Sequence, residues 1–131
     1  MTLVVDASAL VAILLDEPEK SAYVRQILAN DCVASPVGYW EAAIRARHLH
    51  GEAGVDRLER LIARLDIKVM PAATATARLA SNAGREFGKR TPARLNLGDC
   101  FAYALARELD APLLYKGDDF ARTDVRPALP T

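Results

Sequence analysis

An α/β domain built on a mainly parallel sheet is the fold class this sequence predicts, and three observations predict it. Short β-prone runs alternate with longer stretches of helical period along the whole chain. The 131 residues are 51% hydrophobic, enough to bury the core of a single domain spanning residues 1–131. No internal repeat, low-complexity run or linker interrupts the alternation.

Leu3-Val4-Val5 reads as a first strand buried on both faces. Ser8 is suited to cap a helix from Ala9 to about Leu15, and Pro18 opens a second with Ala22, Ile27 and Leu28 as core contacts. Asp31 to Ala34 is the second strand. Ser35-Pro36 then supplies a cap and a proline at the first helical position, for a helix that runs to about His50 and stops at Gly51. Val55, Leu58, Leu61, Ile62 and Leu65 repeat at helical spacing. Ile67 to Met70 is the third strand, closed by Pro71, and an Ala-rich helix follows from Ala72 to about Phe87. Residues 88–94 form a polar, basic loop, the segment expected to be most mobile. A helix from Leu97 to Leu109 leads to the fourth strand, Pro112 to Tyr115. The tail from Asp124 has room for a short edge strand, kept short by Pro127 and Pro130. The sheet therefore has four to five strands.

Lys plus Arg and Asp plus Glu number 17 each, so no global field draws in nucleic acid, and such binding needs local patches. The apolar N-terminal stretch is broken by Asp6 and lacks a basic lead-in, so it is not expected to be a signal peptide. No run reaches the ~20 apolar residues that span a bilayer. A cytoplasmic protein with no membrane partner is expected. Cys32 and Cys100 lack metal-ligand spacing and read as small core residues of a reducing compartment rather than as a disulfide.

Chain direction brings distant acids to one edge. A helix leaving a parallel strand starts at the sheet's carboxyl edge, and a helix feeding the next strand also has its N-terminus there. Asp6 ends strand one, and Asp118 and Asp119 follow strand four. Glu41 lies in the second turn of the helix after strand two, and Asp99 in the first turn of the helix before strand four. Open α/β sheets bind ligands at this edge. Each acid singly has a plain structural reading: Asp6 a strand end, Glu41 a partner for Arg45, Asp99 a capping-box mate of Asn96, Asp118 and Asp119 turn formers. Together they repel, at roughly 4 kcal/mol per pair for ~4 Å and an effective dielectric of about 20. A divalent cation relieves that repulsion and serves catalysis. Oxygen-only donors suit Mg²⁺, with Mn²⁺ as a substitute, and the pattern points to a metal-dependent enzyme, a nuclease. His48 and His50 lie at the far end of their helix and read as solvent-facing or RNA-contacting.

These same residues resemble a known family. The opening VVDASAL, Glu41 in SPVGYWEAA, the segment LNLGDCFAYALA and the ending PLLYKGDDF resemble a PIN domain, specifically the VapC-type toxins of bacterial type II toxin–antitoxin systems. The resemblance covers essentially the whole chain. It implies a three-layer α/β/α sandwich, Mg²⁺-dependent endoribonuclease activity, a cognate antitoxin and a homodimer. Asp6, Glu41 and Asp99 match the family's acidic metal-site positions, and the fourth acid is Asp118 or Asp119. Ser8 matches a small hydroxyl that supports the first acid, and Asn96 a polar position of its motif. On that reading Asp6 and Asp99 hold the main Mg²⁺, while Glu41 and one of Asp118 and Asp119 orient water or hold a second ion. An antitoxin segment is expected to seat on the apolar helices over 9–28 or 53–65, with a basic side chain among the acids.

Cations must offset the acids to hold RNA. Arg45, Arg47, Arg85, Lys89, Arg90 and Arg122 are available, with Arg94 and Lys116 favoured because they flank acidic motifs. Tyr39, Trp40 and Tyr103 have faces for base stacking, Trp40 being assigned to the core. A phosphoacceptor receiver domain is disfavoured because strand three ends Val69-Met70-Pro71 without an aspartate. A two-aspartate phosphatase is disfavoured by Ser8 in Asp6-Ala7-Ser8. The remaining alternative is a catalytically silent PIN-like RNA-binding or assembly module.

Overall fold

The structure is a computed structural model that describes residues 1–129. Four strands, β1 (Thr2–Val5), β2 (Asp31–Ala34), β3 (Lys68–Val69) and β4 (Leu113–Leu114), form one sheet in the order β3-β2-β1-β4. Every pairing is parallel. The expected edge strand in the tail reduces to an isolated bridge between Leu113 and Pro127, consistent with proline's missing donor, and Pro130 lies outside the described residues.

Strand residues alternate between two cores. Leu3, Val5, Cys32, Ala34 and Leu114 face one layer, covered by α1 (Ala7–Leu14), α2 (Lys20–Leu28) and α3 (Pro36–Arg64). Val4, Val33 and Leu113 face the other, covered by α4 (Thr74–Phe87) and α5 (Leu97–Leu109). This is the expected α/β/α sandwich. It explains why β1 reads as an unbroken apolar run: both faces are buried. Leu10, Ile27 and Leu58 are fully buried, and truncating any of them to alanine costs about 2–5 kcal/mol. Leu28, expected in the core, is 69% exposed instead. It follows Ile27 directly, and adjacent helix positions lie about 100° apart.

Local chemistry explains the helix boundaries. The Ser35 side chain accepts from the Val37 amide at 3.1 Å, with Pro36 in the first turn. Long helix α3 breaks at His50 and Gly51, where Gly51 has φ 63° and ψ −154°, a conformation open essentially to glycine alone. The basic loop after α4 is tied down: the Leu95 amide bonds the Phe87 carbonyl at 2.8 Å, and Ala93 is buried. Arg122 also donates to the Pro92 carbonyl at 3.0 Å. Cys32 and Cys100 are free thiols in opposite layers.

Candidate active site

Asp6 leaves β1 in an extended conformation, its amide bonded to the Leu114 carbonyl at 2.9 Å. It, and not Ser8, caps α1: its Oδ2 accepts from the Ser8 amide at 3.0 Å and from the Ser8 hydroxyl at 2.6 Å. The Ser8 oxygen in turn accepts from the Lys116 amide at 2.9 Å, so the end of β4 helps fix the Asp6 carboxylate. Asp6 is only 3% exposed, and its Oδ1 is buried with no hydrogen-bond partner. Such an orphan oxygen costs about 1–3 kcal/mol if nothing meets it. Burial pushes the Asp6 carboxyl up to about 6; the Ser8 bonds pull it down and the Asp99 charge adds to the rise.

Glu41, half-buried in the second turn of α3, is pushed up to about 7, first by burial and then by the charges of Asp6 and Asp99. Asp99 caps α5 reciprocally with Asn96. The Asp99 amide donates to Asn96 Oδ1 at 2.8 Å, and the Asn96 amide donates to Asp99 Oδ2 at 3.0 Å. Burial raises the Asp99 carboxyl as well; the Asn96 bond and the Lys89 charge oppose the rise, and the Asp119 charge adds to it. Between these acids sits Gly98. A Cβ built there would overlap the Glu41 carboxylate, so the carboxylate occupies its present place only because residue 98 has no side chain. The signal for it was in the sequence, a glycine directly before Asp99, but its partner Glu41 is 57 positions away.

The adjacent pair Asp118-Asp119 divides. Asp119 is the one whose charge reaches Asp99, whereas Asp118 lines a separate cavity beside Tyr23 and Pro127 and acts on Tyr115. Of the two candidates for the fourth acid, Asp119 is thus the one that acts on Asp99.

Asp6, Glu41 and Asp99 open onto a cleft of about 540 Å³ that Ser8, Asn96, Arg45 and His48 also line. Arg45 is thus where an RNA-holding cation was expected. Lys116 lines the cleft too, but its ammonium pairs with Glu17 and Glu19, which raises its pKa and ties the charge down. Arg94, exposed with φ 57°, is not among the residues lining the cleft. Lys89 is instead the loop cation whose charge reaches an acid. Trp40, assigned to the core from the sequence, is 58% exposed and lines the cleft. Tyr103 is buried, its hydroxyl donating to Asp124 at 2.5 Å, and Tyr39 packs in part against the first core; neither lines the cleft.

Repelling carboxyls around an orphan oxygen suit a small, hard cation and the chemistry of anionic phosphate. Among the described residues, no three His, Cys, Asp or Glu side chains close into a ready-made ligand shell. The acids ring the cleft rather than meeting at a point. Also among the described residues, no helix is long and apolar enough to cross a membrane.

Comparison with known proteins agrees with this geometry. The PIN domain family matches residues 3–126. Ribonuclease VapC28 of Mycobacterium tuberculosis is 40% identical over 131 residues, covering 97% of this chain and 98% of that protein. Ribonuclease VapC of Mycolicibacterium smegmatis is 41% identical over 126 residues, covering 94% and 97%. Among solved structures, M. tuberculosis VapC20, described as a Sarcin-Ricin loop cleaving toxin, superposes with a TM-score of 0.74 at 14% identity. That match covers 95% of this chain and 99% of the other, a likeness of fold. The chain belongs to the PIN domain family and, within it, to the VapC group.

Proposed function

We propose that this protein is an endoribonuclease toxin of a toxin–antitoxin pair that hydrolyses RNA phosphodiester bonds with Mg²⁺, Mn²⁺ serving as a substitute. The single observation that carries the metal-dependent part is the buried, unpartnered Asp6 Oδ1 in a cleft whose carboxyls are raised first by burial and then by neighbouring carboxylate charge. The ribonuclease part rests on relatives named ribonucleases that are about 40% identical along nearly the whole chain.

The residues fit a divalent cation by this test: oxygen donors only, one of them orphaned, with no basic side chain bridging them. Asp6 and Asp99 would hold it, with Glu41 and Asp119 completing the acidic ring. Bound there, the cation supplies charge neutralisation at the phosphate and acidifies water for attack. The chain's own groups prepare the rest. Ser8 and the Lys116 amide lock the Asp6 carboxylate, and Asn96 locks Asp99. Gly98 leaves Glu41 room beside them. Glu41, which lines the cleft beside them, is placed to orient water. Arg45 and Lys89 are the cations placed to offset phosphate charge.

A cognate antitoxin, a homodimeric state and a cytoplasmic location complete the reading. Support for an apolar partner surface is limited to exposed side chains such as Leu28 and Leu49, because Leu61, Ile62 and Leu65 pack on the chain's own core. Co-expression with a candidate antitoxin, followed by size-exclusion chromatography, is expected to yield a complex and, without the antitoxin, a dimer. A second reading, a silent RNA-binding or assembly module, is favoured by the lack of a closed three-donor shell among the described residues. Antitoxin-free protein incubated with total RNA separates the two. Cleavage is expected with Mg²⁺ and none in EDTA; binding of Mg²⁺ by calorimetry without cleavage would leave the silent module standing.

A further inference from the structure

Trp40 is the only tryptophan in the chain, and it stands exposed in the cleft on the residue directly before Glu41. A large aromatic in water at a cleft wall gains no packing energy there, whereas Leu10, Ile27 and Leu58 of the same helix layer are buried. Ile44, one turn further along α3, is 40% exposed and lines the same wall, with Val11 of α1 beside it. Arg45 and His48 lie on that wall too, so apolar and hydrogen-bonding groups alternate over the about 12 Å from residue 40 to 48.

An apolar peptide segment would cover Trp40 and Ile44 but leave Arg45 facing no anion. A nucleotide satisfies both, with a flat apolar base for the indole and a phosphate for the guanidinium. We infer that Trp40 is a stacking platform for an unpaired nucleobase flanking the scissile phosphate. This inference rests on the ribonuclease reading. Bases inside a helix are already stacked on both sides, and an aromatic gains a partner only from one that is unstacked. Ile44 and Val11 supply the apolar floor, and the neighbouring Glu41 sets the stacked base next to the reacting phosphate.

The single tryptophan makes the test direct. The Asp99→Asn protein is titrated in Mg²⁺ with a short RNA of mixed sequence, either unpaired or annealed to its complement. Trp40 emission is read with unlabelled RNA, and total binding by the anisotropy of end-labelled RNA. Emission should change with the unpaired strand as it saturates, and not with duplex bound to the same extent. Adding Trp40→Ala should weaken unpaired-strand binding by about 5- to 150-fold, while Trp40→Phe keeps most of it. As Trp40 is exposed, both variants should melt within a few degrees of the parent. Saturable RNA binding with unchanged emission overturns the inference and leaves the ribonuclease reading intact, as does an equal response to duplex. Emission that responds to a Leu/Lys model helix and to no RNA assigns the wall to a protein and also overturns it. Failure to bind any RNA removes the ribonuclease reading and the inference with it.

Discussion

Asp16, Glu52, Asp110 and Asp124 each lie 2.6–3.3 Å from a basic side-chain nitrogen on the outer surface. Asp6, Glu41 and Asp99 in the cleft form no ion pair among the described residues; burial raises all three, and the Asp99 charge adds to the rise at Asp6, the Asp6 and Asp99 charges to that at Glu41. The surface acids were free to find Lys and Arg by rotating exposed side chains. The cleft acids are fixed by backbone: the end of β1, the second turn of α3 and the first turn of α5. A fold that holds carboxyls apart from its own cations gives up stability locally, which marks the cleft as the place where an external cation and substrate belong. Exposed pairs, by contrast, contribute about 0–1 kcal/mol each and are replaceable.

The largest expected effect breaks the cleft side of this contrast. Asp6→Asn and Asp99→Asn should each lower Mg²⁺-dependent RNA cleavage by more than about 100-fold, measured as initial rates on one labelled RNA. Rates equal to the parent's would remove both residues from the chemistry.

Stability should move the other way. Asp6 and Glu41 keep their protons in the fold up to about 6 and about 7, above their ordinary carboxyl values. Over that window the folded form binds more protons than the unfolded chain, so stability is highest at acid pH and falls as pH rises through those values. In EDTA, urea melts should show the parent weaker at about pH 8 than at about pH 5. Asp6→Asn should recover up to about 3 kcal/mol at the higher pH. Added Mg²⁺ should stabilise the parent at about pH 8 and leave Asp6→Asn unmoved.

Two glycines sharpen the comparison further. Gly98→Ala places a methyl group where the Glu41 carboxylate sits; because that is the tip of a flexible side chain, stability should change by less than about 1 kcal/mol in urea melts while cleavage slows. Gly84→Ala, exposed on α4 with only ordinary contact to Cys100, should gain about 0.5–1 kcal/mol and leave cleavage alone. Smallest is the surface control. Arg126→Ala removes a bond to exposed Asp110 and should change stability by less than about 1 kcal/mol, with no effect on RNA cleavage.

Much of this was legible without coordinates. Strand runs buried on both faces, the Ser35-Pro36 start, the Gly51 break and the Asn96–Asp99 cap are all short-range chemistry, written within a few residues. The convergence of Asp6, Glu41 and Asp99 was legible too, because parallel crossovers have one hand and one direction, so element order alone assigns the carboxyl edge. What only the tertiary structure decided depends on side chains far apart in the chain. The charge of Asp119 reaches Asp99, while Asp118 lines a cavity beside Tyr23 and acts on Tyr115. Lys116 is spoken for by Glu17 and Glu19, Trp40 stands in the cleft rather than the core, and Gly98 is small for the sake of Glu41. Each is a through-space distance set by how three layers pack, and the apolar and charged patterns that encode the elements are silent on it.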